Sequence, residues 1–200
     1  MDANLSRHIV WQKPWRSRRH HEEQRLKPPS KPPFGSDLVP FRQWATINLT
    51  EKFIAVIPLS GYRRHLPEDE NRAIYLEPDA TETALGQAVL ETLDRSRFIH
   101  PREDRQFYEM DRILTADKRW QADFMKRYRY KTKHDAYKKM HYCLAEWREG
   151  WILIKPHKRD PKPRLWWDLP EEKTVVIPAT NDPAIVGAAV SLALSHCVTC

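Results

Sequence analysis

Nine histidines, three cysteines and 27 carboxylates are the groups with which this 200-residue chain could do chemistry, and their spacing argues against most of it. No two histidines form the H-E-x-x-H or H-x-H pattern that holds a metal on one face of an element. His100, His134, His141, His157 and His196, with Glu103 and Asp160, are the residue types of an acid–base site, but no recognised spacing joins them. Five glycines leave hardly any material for a glycine-rich phosphate loop. Cys197 and Cys200 make a C-x-x-C at the chain end, with neither a second pair nor a flanking helix to suggest zinc or redox chemistry. Three thiols, counting Cys143, do not complete a disulfide set and point to a reducing compartment. The expectation is a chain without catalytic residues, metal ligands or cofactor, and so not an enzyme.

Residues suited to recognition are better represented. Residues 59–72 make a charged connection carrying Glu68, Asp69, Glu70 and Arg72, and residues 157–174 make a second one with Trp166, Trp167 and Asp168. Both are long for links between strands, and long connections are more often functional. Between them, Lys118 to Lys139 holds nine Lys/Arg interleaved with Trp120, Tyr128, Tyr130 and Tyr137, the composition of a surface that tracks phosphates and stacks bases. Half of those aromatics are needed to bury a helix, so nucleic-acid binding through 118–139 stands as the alternative and not the first reading.

The elements that must position these residues are written twice, about a hundred residues apart. Trp44 to Leu49, Phe53 to Pro58, Ala73 to Pro78 and Leu85 to Val89 are followed by Tyr142 to Trp147, Trp151 to Pro156, Val175 to Pro178 and Val186 to Val190. Matched positions are 98 apart at Pro58 and Pro156, 100 at Pro78 and Pro178, and 101 at Gly86 and Gly187. Phe53 to Ile57 is apolar without interruption, which predicts a central strand covered on both faces. Pro58, with no N–H for the ladder, ends it. Asp79 or Thr81 caps a helix whose Leu85, Ala88, Val89 and Leu93 follow helical spacing, and Asn181 or Asp182 with Pro183 opens its counterpart. Gly150 supplies the positive φ that the turn at 148–150 needs.

Residues 101–140 are an insert between the copies. A helix opens at His100-Pro101, a second covers Asp117 to Tyr130, and a short third, capped by Thr132, covers Lys133 to Met140. The fold class is therefore α/β in the α+β sense, with two strand-strand-strand-helix units joined by a helical insert in one compact domain over 43–200. Residues 1–42 hold nine Lys/Arg against four Asp/Glu around the proline-rich Lys27 to Pro33, and read as a disordered basic tail. The net charge of +7 reports mainly on that tail. No run approaches the roughly 20 apolar residues of a membrane span, and the first 30 residues lack a signal peptide's apolar stretch, so a cytoplasmic protein is expected.

Five phrases in order carry a resemblance: Phe53 to Pro58; Leu76-Glu77-Pro78 with Leu85 to Val89; Ser96-Arg97-Phe98; Met125 to Tyr128 with Tyr130 to Lys133; and Val176 to Ala179 with Gly187. Over residues 44–198 the chain resembles the immunity proteins of contact-dependent growth inhibition systems. The resemblance implies a bacterial, non-enzymatic antidote, needing no cofactor, whose partner is the C-terminal toxin domain delivered by a neighbouring cell, often a nuclease. The basic tail is where this chain departs from that family. On this reading Glu68, Asp69 and Glu70 complement the toxin's basic substrate groove and Trp166 and Trp167 anchor it, with Arg72 and Asp168 beside them. The duplication is expected to place both loops on the same end of the sheet.

Overall fold

In the computed structural model, which describes residues 39–70, 73–160 and 166–199, the two sequence copies become two copies of one sheet unit. Strand β1 (Arg42–Leu49) turns back into β2 (Ile54–Gly61) through a loop in which the Thr50 hydroxyl accepts from the Lys52 and Phe53 N–H groups. Short strands β3 (His65–Pro67) and β4 (Ile74–Leu76) pair antiparallel with opposite ends of β2, and helix α1 (Glu82–Asp94) follows. The insert contributes α2 (Met110–Arg127) and α3 (Lys133–Tyr137). The unit then repeats as β5 (His141–Arg148), β6 (Trp151–Arg159), β7 (Trp166–Asp168), β8 (Val175–Pro178) and α4 (Pro183–His196). Each unit has one strand more than expected, because a three-residue strand, β3 or β7, forms inside each long connection.

The pairing registers repeat as closely as the order. Ala45 faces Pro58 and Leu49 faces Ile54; 98 residues on, Cys143 faces Pro156 and Trp147 faces Ile152. Beyond the hairpin the shift becomes 101, since Leu76 lies opposite Ile54 and Ile177 opposite Ile152. Pro78 and Pro178, matched at 100 in the sequence, are thus one position out of structural register. The units join antiparallel through β1 and β5, and Thr46 lies opposite Leu144, its own counterpart 98 residues on. A pseudo-two-fold axis therefore passes between these two residues.

On one face of the sheet the axis also relates α1 to α4. Thr81 caps the first helix by accepting from the Ala84 N–H, and Asp182 caps the second by accepting from that of Ala184. The helices touch backbone to backbone: a Cβ on Gly86 would fall 1.8 Å from the Pro183 carbonyl oxygen, and one on Gly187 1.7 Å from that of Glu82. Only glycine allows this approach, which is why the pair recurs at 101. Beneath them Ile47, Ile54, Val56, Ile152 and Ile154 pack with Val89, Val186 and Val190. On the other face the insert lays Phe124, Tyr137 and Met140 over Phe53 and Ala55. Burial on both faces is the cause of the unbroken apolar run in β2.

The insert departs from expectation at its start. No helix opens at His100-Pro101; residues 101–103 form a turn, closed by the Glu103 N–H donating to the His100 carbonyl, and only a 3-10 turn over Gln106–Tyr108 precedes α2. Ile99 is held extended by donating to the Gly61 carbonyl at 2.9 Å, and it packs with Leu66 and Phe107 in a cluster of its own. Helix α2 consequently begins at Met110, not Asp117, and stops at Arg127, with Arg129 at positive φ. Helix α3 has its Thr132 cap but ends at Tyr137, short of Met140.

Candidate functional site

Beside the insert's hydrophobic contacts, the second face of the sheet opens into a cleft of about 470 Å³. Its floor is Thr46 and Asn48 of β1, one wall is Ile113, Ala116 and Trp120 of α2, and the far wall is Tyr142, His157 and Trp166. Carboxylates of Glu68, Glu70 and Asp117 also line it.

Antiparallel joining of β1 and β5 puts the two long connections at opposite ends of the sheet, not the same end as expected. Strand β3 pairs at the Gly61 end of β2, beside Trp44, whereas β7 pairs at the Arg159 end of β6, beyond His141. A two-fold axis perpendicular to the strands leaves no other arrangement. The curl of the sheet nevertheless brings residues of both connections to one cleft.

The expected site residues play several parts. Glu68 accepts two hydrogen bonds from the Arg97 guanidinium, at 2.9 Å from Nε and 2.6 Å from Nη2, and another from the Ser60 hydroxyl. Asp69 accepts from Arg112 at 2.7 Å, and its carbonyl accepts from Arg119 at 2.7 Å. Glu68 thus ties the connection to β2 and to the segment after α1, Asp69 ties it to the insert, and Glu70 is exposed on the cleft. Arg72 lies outside the described residues, as do residues 1–38 of the basic tail and Cys200. Strand alternation separates the tryptophans. Trp166 stacks on Tyr142, with centroids 5.1 Å apart, and meets Tyr137 edge-on, whereas Trp167 is 57% exposed and donates to Asp160 at 2.8 Å. Asp168 returns to the side of Trp166 and reaches His157 Nε2 at 3.0 Å.

His157 anchors the far wall, with Nδ1 3.0 Å from the Lys155 carbonyl and its ring edge-on to Tyr142. Burial lowers its pKa below the ordinary 6.5, and Asp168 with the Lys155 carbonyl only partly offsets this. Nearby, buried Glu146 is bridged by Arg42 at 3.2 Å and Lys155 at 3.1 Å. Sequence reading missed Tyr142 and Glu146, and it named His157 only among scattered acid–base candidates, not as part of a binding wall. The usable signal was β6, where Lys155 and His157 break the apolar pattern on one side while β2 stays apolar on both.

The basic segment 118–139 keeps its charges outside but has its rings inside. Tyr128 stacks on Phe53 at 4.4 Å, Tyr137 is 1% exposed, and Trp120 packs on Phe124. Stacking platforms for bases are therefore occupied by the protein itself. Among the described residues no three His, Cys, Asp or Glu side chains gather as metal ligands would.

An aromatic cleft with carboxylates on its lip is the geometry of a surface that binds. The chain belongs to the CDI immunity protein family, whose model matches residues 43–197. It is 29% identical over 168 aligned positions to the immunity protein CdiI-YPIII of Yersinia pseudotuberculosis, covering 77% of this chain and 94% of that protein. Its fold is similar to a solved CdiA-CT/CdiI toxin and immunity complex from Yersinia pseudotuberculosis, with a TM-score of 0.73 and 29% identity over 78% of this chain and 98% of the other. A protein of unknown function from Neisseria meningitidis also matches with a TM-score of 0.73, at 25% identity over 81% of this chain and 99% of that one. Family membership makes this an inhibitor and not an enzyme. No helix among the described residues is long and apolar enough to cross a membrane.

Proposed function

We propose that this chain neutralises the toxin domain of its own contact-dependent growth inhibition system in the cytoplasm, and that this toxin is a nuclease. The similar solved structure, described as a toxin and immunity complex, supports the first part. The second rests on one observation, the cleft lip carrying Glu68, Glu70 and Asp117 beside the aromatic wall of Trp166 and Tyr142. A groove built to hold phosphates is basic, and carboxylates around an aromatic anchor complement it and speed encounter. Trp167 and Asp168 belong to this interface as its rim, Asp69 contributes by holding the acidic connection in place, and Arg72 is assigned to it on its position in the sequence alone.

Co-expression with the cognate toxin domain tests the function, and binding kinetics test the surface. Glu70→Lys should slow association several-fold and weaken its dependence on salt, because it removes steering charge without touching the Glu68–Arg97 pair. Reversal of Lys126, Arg127 and Arg129 together should leave both unchanged. Equal cell death with and without this chain would remove the function. Binding lost only on reversal of the three cations would move the interface to the insert. A toxin domain that leaves RNA and DNA intact would remove the nuclease reading alone.

A further inference from the structure

Cys143, on β5, and Cys197, just after α4, bring their sulfurs to 3.4 Å, and both are free thiols. The pseudo-two-fold axis makes the first unit a control for this contact. At shifts of 98 and 101 their counterparts are Ala45 and Ser96. Ser96 ties that unit together, its hydroxyl accepting from the Trp44 N–H at 2.9 Å and donating to the Leu59 carbonyl at 2.5 Å. Cys197 holds the same place, 3.3 Å from the Tyr142 carbonyl and next to the His157 backbone, and these two residues are the counterparts of Trp44 and Leu59. A serine and an alanine suffice for the junction. The second unit fills it with two touching thiols instead.

The two thiols are not equivalent. Cys143 is fully buried, while Cys197 is half-buried. The hydrogen bond between them lowers the Cys197 pKa to about 7 and raises that of Cys143, which burial raises further. Cys197 is thus the thiolate that an oxidant can reach, and Cys143 the thiol behind it.

We infer that Cys143 and Cys197 are a reversible oxidation site, at which a small disulfide of the glutathione class converts the pair to an intramolecular disulfide. The Cys197 thiolate attacks one sulfur of the oxidant, forming a mixed disulfide and releasing one glutathione thiolate. Cys143 then gives up its proton and attacks the Cys197 sulfur, and the second glutathione leaves. Two protein thiols lose two electrons and one disulfide becomes two thiols, so atoms and electrons balance. Closure brings the sulfurs about 1.4 Å nearer, from 3.4 Å to a bond length of about 2.05 Å. The bond would fasten β5 to the segment in which the Val198 carbonyl accepts from the Arg159 N–H at 2.8 Å, behind the cleft wall that bears His157. In a reducing compartment the pair rests open and closes under oxidative stress.

The test uses the full chain with Cys200→Ser, so that one pair remains, in buffers poised by reduced and oxidised glutathione. Oxidation should remove two titratable thiols, lower the mass by about 2 Da and link the peptides carrying Cys143 and Cys197. It should raise Tm by roughly 5–10 °C over the reduced protein, since the bond closes a loop of some fifty residues. Adding Cys143→Ser should leave a glutathione adduct on Cys197 and no rise in Tm. Thiols that stay free in excess oxidised glutathione, or an adduct that persists with Cys143 present, would overturn the inference. So would a Cys197–Cys200 bond as the main product of the unsubstituted chain.

Discussion

At the scale of single residues, His157 and the two tryptophans separate structural from surface roles. His157 is less easily protonated in the fold than in the unfolded chain, because burial lowers its pKa below 6.5. Its contribution is therefore complete above pH 6.5 and is lost as pH falls through the lowered value, where the unfolded state binds the extra proton. Urea midpoints should drop between pH 7.5 and 5.5, and His157→Gln should make that drop smaller; an unchanged drop would acquit this residue. Trp166→Ala removes a ring held between Tyr142 and Tyr137 and should cost about 3 kcal/mol. Trp167→Ala, at an exposed position, should cost about 0.5 kcal/mol. Denaturant titration of the two variants checks both values. In the sequence these neighbours looked like one anchor; period-two alternation along a strand is what divides them.

At the scale of elements, the α1–α4 crossing concentrates the strain that a substitution can cause. Gly86→Ala and Gly187→Ala each drive a methyl onto a backbone carbonyl that cannot rotate away, so each should cost more than about 2 kcal/mol. The double variant should cost less than the sum, because one separation of the helices relieves both clashes. Thermal melts of the three proteins decide this, and strict additivity would show that the helices do not share a contact. Gly150 is a different case, at φ +80° with open space around it, and Gly150→Asn should cost no more than about 1 kcal/mol. The glycine pair was visible in the sequence as a repeat at 101. Its purpose was not, because helix contacts arise from the symmetry of the assembled sheet.

At the scale of the molecule, the first described residues, ahead of the composition change at Trp44, already pack onto the sheet. Phe41 lies 5.5 Å from Phe98 and 5.9 Å from Trp147, and Arg42 opens β1 and bridges buried Glu146. A chain beginning at Gln43 should melt several degrees below one beginning at Val39, since it loses two ring contacts and one partner of a buried carboxylate. Equal melting temperatures would show that Lys155 satisfies Glu146 without Arg42.

The repeated order of the long strands and of α1 and α4, their hydrophobic periods, the candidate caps of those two helices and the duplication were determined by the sequence itself, whereas β3, β7 and the start of the insert were not. These depend on neighbours a few residues apart, or on likeness between segments, and both can be read along a chain. Tertiary structure alone decided which face of the sheet the insert covers. It also decided that Glu68 is tied to Arg97, and that an acidic connection and Trp166 from opposite ends of the sheet line one cleft. The shared cleft depends on the curl of a sheet joined through β1 and β5, while the Glu68–Arg97 pair forms where β3 and the segment after α1 both meet β2, and in each case residues distant in the chain meet only on folding.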